Sequence, residues 1–126
     1  MPNTTVRAAA EGTPEINRRA AHHVDDLSFM QRRTPKGTGI HYWQVQATGS
    51  YSADYEKGLA LGREYLDYIG SHPTNGNVNL LGWIVGDMVA LCAGKLTGIE
   101  LGFLRQVNEL AVVVSSWAKT QKGVDA

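Results

Sequence analysis

The stretch that most constrains this chain is Thr97 to Lys119. It opens Thr97-Gly98-Ile99-Glu100, a threonine followed three residues later by a glutamate. This is capping-box spacing, in which the hydroxyl and the carboxylate can each satisfy a backbone N–H that the first helical turn leaves without a partner. Ile99, Phe103, Val107, Leu110, Val114 and Trp117 then recur at steps of three and four and form one stripe. Leu101, Leu104, Ala111 and Ala118 lie beside it, and Val112 and Val113 fill the gap between. Arg105, Gln106, Asn108 and Glu109 keep one side of the early turns polar, but the later turns before Lys119 have almost no polar side. A helix that is apolar nearly all round must be covered on most sides. The pattern therefore predicts a central core helix over 98–119, a subunit interface, or both.

Upstream, two more helices are expected. Over 53–69, Ser52 is a candidate cap and Gly70 a stop, with Tyr55, Leu59, Gly62, Leu66 and Ile69 on one stripe and Leu61, Tyr65 and Tyr68 on a second. Gly58 and Gly62 stand one turn apart, and each costs about 1 kcal/mol relative to alanine inside a helix. That cost points to a close approach by another backbone. Over 78–93, Val78, Leu81, Val85, Met88 and Cys92 make one face, and Leu80, Trp83, Ile84 and Leu91 another that Asp87 interrupts. Gly82, Gly86 and Ala90 again suit tight helix contact, and the short link Gly94 to Thr97 predicts that this helix and the last are antiparallel neighbours.

Residues 40–48 alternate as a strand, with His41, Trp43, Val45 and Ala47 facing one way and Ile40, Tyr42, Gln44 and Gln46 the other. One strand leaves its backbone groups unpaired. Its partner is 27–33 in a hairpin, the same strand of a second subunit, or another protein. Thr13-Pro14-Glu15 starts a possible fourth helix over 14–27; the alternative is that Leu27 to Arg33 is a short strand turning through residues 34–37. The expected architecture is a mainly α, small bundle of three to four helices with one short β-strand. Residues 1–12 read as a flexible tail, 13–122 as a single domain and 123–126 as a second tail.

Twelve acidic and twelve basic residues in a chain of 126 balance, so no net field draws in nucleic acid or an anionic membrane. The most apolar segment, Val78 to Ala93, falls short of the roughly 20 residues that cross a bilayer. With no secretion signal in the sequence, the cytoplasm is the expected compartment. The lone Cys92 sits in an apolar helix pattern and reads as a small hydrophobe.

Chemistry finds few footholds. His22, His23, Asp25 and Asp26 read as a solvated polar face, since a metal site draws three or four ligands from separated elements. Asp87, a carboxylate among apolar residues, is either a general base or the structural partner of Arg63, Lys95 or a tyrosine hydroxyl; no nucleophile or second acid accompanies it. The glycines form no phosphate-binding fingerprint. The final helix offers a DNA groove only Arg105, Gln106 and Asn108, mixed with Glu100 and Glu109. Neither a cofactor nor a metal is expected, and the chain reads as a non-enzyme. What remains is surplus apolar helix surface, which argues for self-association or partner binding.

The run from Tyr51 to Ile69 (YSADYEKGLALGREYLDYI) and the following Leu80 to Met88 (LLGWIVGDM) resemble the QslA family of LasR-specific quorum-sensing antiactivators. The similarity covers Gly39 to about Lys119 and rests on the ordering of helices rather than on catalytic motifs. It implies a small bacterial regulator that binds the ligand-binding domain of a LuxR-type transcription factor, covers its dimerisation surface and prevents DNA binding. It also implies self-association as a homodimer. The helix faces nominate Tyr55, Leu59, Tyr65, Leu66, Tyr68 and Ile69 as partner-binding residues. Trp43, Val45, Leu110, Val113, Val114 and Trp117 are nominated for self-association. The readings from other classes are an interaction module of unspecified partner, a small enzyme using Asp87 with a nearby histidine, and a DNA-binding subunit.

Overall fold

The computed structural model describes residues 26–32 and 39–125. Among these residues the fold is mainly helical, with three helices and a minimal antiparallel hairpin. Strands β1 (Gln31–Arg32) and β2 (Ile40–His41) pair Gln31 with His41 and Arg32 with Ile40. Helix α1 (Tyr51–Ser71) follows, then a 3-10 turn (Asn75–Asn79), helix α2 (Leu80–Leu91) and helix α3 (Gly98–Asp125). The possible helix over 14–27 falls, apart from its last two residues, outside the described residues, as does the tail over 1–12.

The hairpin is the first of the three pairings open to the strand, but it is much shorter than residues 40–48. A further ladder-like bond continues it, from the Gln44 N–H to the Phe29 carbonyl at 2.8 Å. Helix side chains take up further donors of the segment. The Tyr42 N–H donates to the Asp87 carboxylate at 2.8 Å, so the odd acid of α2 answers a backbone donor and not one of the expected cations or hydroxyls. The Thr48 N–H and hydroxyl and the Gly49 N–H all donate to Asp54 in the first turns of α1. On the other strand, the Ser28 N–H and hydroxyl donate to Glu64, at 2.7 and 2.6 Å, and pin the hairpin to α1.

Alternation over 43–46 survives as burial. Trp43 and Val45 point into the core while Gln44 and Gln46 are exposed. Both apolar residues were expected on a self-association surface, and the correction has a plain cause. Trp43 is only 1% exposed because it meets Phe29 at 5.2 Å and Phe103 at 5.1 Å between ring centres. Phe29 meets Phe103 edge-on at 5.4 Å. This aromatic triad joins the hairpin to α3, in the edge-to-face and tilted geometries that ring quadrupoles favour.

The tightest helix pair is α1 with α3, and glycines make it possible. A Cβ at Gly58 would lie 2.1 Å from the Ile99 carbonyl oxygen, and one at Gly62 would lie 2.6 Å from the Gln106 Cβ. From the other side, a Cβ at Gly98 would lie 2.9 Å from the Tyr51 carbonyl oxygen, and one at Gly102 would lie 2.3 Å from that of Tyr55. Each step along α1 matches a step in the same direction along α3, so the two helices run parallel. The expected antiparallel pairing of the last two helices is replaced by this contact, and α2 carries the chain back between its partners. A 12-residue α2 spans about 18 Å, enough to return along much of α1.

Helix α2 buries Leu80, Ile84 and Met88, one residue per turn. These come from both expected faces. The Gly82–Gly86–Ala90 side, expected to pack against another helix, is exposed, and a Cβ at either glycine would meet nothing. The helix ends where the Gly94 N–H reaches the Val89 carbonyl at 2.9 Å, with Ala93 at φ +52° and Gly94 at φ +84°. This is a Schellman-type stop.

Candidate interaction surface

The N-terminus of α3 is built by Glu100. Its carboxylate accepts from the Thr97 N–H at 2.7 Å, the half of the expected capping box that the glutamate supplies; the Thr97 hydroxyl, expected to accept from a backbone N–H, instead donates to the same carboxylate oxygen. The other oxygen accepts from the Trp43 indole N–H at 2.8 Å. Burial works against the negative charge, but the bonds from Thr97 and Trp43 outweigh it and hold the carboxyl below its ordinary pKa. The nearby Cys92 thiol is pushed up, first by burial and then by the Glu100 charge. A raised thiol is a poor nucleophile, in keeping with a packing role.

From this anchored start α3 runs past the body of the protein. Every residue from Asn108 to Gln121 is exposed. The exposed set includes Leu110, Val112, Val113, Val114 and Trp117, the last two at 51% and 63%. Glu109, in an exposed ion pair with Arg105 at 3.4 Å, and Asn108 precede the apolar run, Ser115 and Ser116 interrupt it, and Lys119, Thr120 and Gln121 follow. Three consecutive valines lose rotamer freedom in a helix, so local propensity does little to hold this region. Leu110, Val113, Val114 and Trp117 share one side of the helix and form an apolar surface of the kind that marks an interaction site.

The sequence-nominated residues divide sharply. Leu110, Val113, Val114 and Trp117 share this exposed half-helix. Trp43 and Val45 lie in the core, remote from it in role. The six residues nominated on α1 are largely enclosed: Tyr65 and Tyr68 are buried, and Leu66 and Ile69 pack against the core. The backbones of Tyr55 and Leu59 receive Gly102 of α3, and both side chains are only partly exposed. Glycines on the face of α1 admit α3, so much of its apolar surface is taken up within the chain. The residues missed are on the outside of α2 and of the turn before it, where Val78, Trp83, Val89 and Leu91 are exposed. Trp83 rests against Tyr42 at 5.5 Å between ring centres. Their signal was present in the all-round apolar pattern of residues 78–93, but periodicity does not rank the faces of such a helix.

Of the His22, His23, Asp25 and Asp26 group, only Asp26 lies within the described residues, where it is exposed. Among the described residues no cluster of metal-ligating side chains forms, and no helix is long and apolar enough to cross a membrane. Compared with known proteins, the chain matches no family model, no curated relative and no solved structure.

Proposed function

We propose that this protein is a non-enzymatic regulator that acts by covering the association surface of another polypeptide. The observation that carries the reading is the distal half of α3, where Leu110, Val112, Val113, Val114 and Trp117 stand exposed on one continuous helix. Burying apolar area at about 25 cal/mol per Å² supplies the driving force, and large side chains such as Trp117 are typical anchors of such interfaces. The resemblance to QslA-type antiactivators supplies the class of partner: the ligand-binding domain of a LuxR-type transcription factor, LasR-like in character. A blocked monomer cannot assemble the dimer that reads two half-sites on DNA. The inhibitor succeeds if it binds that surface more favourably than a second copy of the factor does.

The test is co-purification of the full chain with LuxR-type ligand-binding domains, alongside Val113→Glu and Trp117→Glu. The wild type should retain such a domain and both variants should lose it. Retention by both variants would end the reading. The same surface also supports self-association as a homodimer. Sedimentation of the chain alone checks this, with a dimer in the wild type and a monomer in Trp117→Glu as the expected result.

A further inference from the structure

A separate feature lies beside the C-terminal end of α1. Tyr65 and Ile69 on α1, Pro73 in the following loop, Val78 in the 3-10 turn and Leu81 on α2 enclose a cleft of about 450 Å³. Clefts beside Cys92, His41 and Ser28 are smaller, at about 220, 260 and 300 Å³. The size falls in the 300–1,000 Å³ range of small-molecule pockets, and the walls have the same mainly apolar make-up. Three lining residues bring polar groups. The Asn77 amide is committed to the His72 carbonyl at 2.7 Å, and Thr74 is also engaged. Tyr65 is different. It is only 4% exposed, its ring packs on Phe103 at 5.6 Å, and its hydroxyl makes no hydrogen bond among the described residues.

A buried hydroxyl without a partner is unfavourable, and such groups in folded proteins are nearly always answered. Burial also pushes the Tyr65 pKa up, so the hydroxyl keeps its proton and is a donor at neutral pH. We propose that this cleft binds a small molecule with a compact apolar body and one hydrogen-bond acceptor, which the Tyr65 hydroxyl contacts. A concave, mainly apolar pocket with a few polar groups at its wall suits a small ligand. The convex half-helix of α3, with no concavity and no buried polar group, suits a polypeptide.

The probes are acetophenone, an aromatic ring carrying one acceptor, and ethylbenzene, nearly the same shape without one. Each is titrated into the full chain and followed through the methyl resonances of Ile69, Val78 and Leu81. Acetophenone should move all three and bind roughly 2- to 10-fold more tightly than ethylbenzene, the worth of one neutral hydrogen bond. Tyr65→Phe should erase that preference and leave ethylbenzene binding unchanged. Val78→Trp, at an exposed rim position that tolerates substitution, should block both probes. The proposal is overturned if neither probe moves these methyls, if the shifts map instead to the valines of α3, or if the preference persists in Tyr65→Phe. It is also overturned if Val78→Trp binds both probes as the wild type does, the outcome expected of binding away from this cleft.

Discussion

The Trp43 indole N–H donates to the Glu100 carboxylate at 2.8 Å, joining residues 57 apart in sequence. One carboxylate thus caps α3 through Thr97 and anchors the aromatic triad through Trp43. Hydrogen bonds to a charged group are worth about 1.5–3 kcal/mol each, so Glu100→Ala should be among the most destabilising substitutions, read as a lower urea midpoint.

The same carboxylate should make stability acid-sensitive. Its folded pKa lies below the ordinary value, so its contribution is fully present above the unfolded pKa of about 4.3 and is lost as pH falls through the lower folded value. Urea midpoints measured on either side of that window should fall with pH in the wild type and fall less steeply in Glu100→Gln.

Two glycine-to-alanine changes one helix apart should have opposite signs. At Gly58 the new Cβ would press on the Ile99 and Phe103 backbone, and overpacking there should cost about 1–3 kcal/mol or more. At Gly82 nothing lies within reach, and removing a helical glycine should gain about 0.5–1 kcal/mol. Chemical denaturation of the pair would check both.

Ala93 occupies φ +52° at the end of α2. A left-handed backbone costs a non-glycine residue about 1–2 kcal/mol. Part of that is returned by glycine's larger freedom in the unfolded chain, so Ala93→Gly should stabilise by about 0.5–1 kcal/mol, visible as a Tm rise of a few degrees.

In the distal half of α3, Val113→Glu should change folding stability by less than about 0.5 kcal/mol, because the side chain touches little of its own subunit. Amide exchange there should be fast in the free protein and slow once a partner covers it. Protection in the isolated monomer would contradict this.

Much of this fold is legible in the residues alone. The Thr97–Glu100 spacing predicts the start of α3, and the costly pair Gly58 and Gly62 predicts a backbone at van der Waals distance, which α3 supplies. The same logic fails at Gly82 and Gly86, because identical spacing does not say whether a partner lies within the chain. Trp43 and Val45 were misplaced for a related reason: a strand's inward face and an interface strand look alike until Phe29 and Phe103 are seen to meet them. The exposed valines of α3 were anticipated as surplus surface. The enclosure of α1 was not, because its second apolar stripe gave no sign that α3 would lie parallel to it.

That parallel course constrains how the chain comes together during synthesis. When the ribosome has released α1 and α2, the groove at Gly58 and Gly62 has nothing to fill it, and Phe29 and Trp43 still lack Phe103. No earlier segment can substitute, because the register requires Gly98 to meet Tyr51. Closure waits for the final helix, so a nascent or truncated chain ending before it would display a greasy, open cradle and be a natural client for chaperones and proteases.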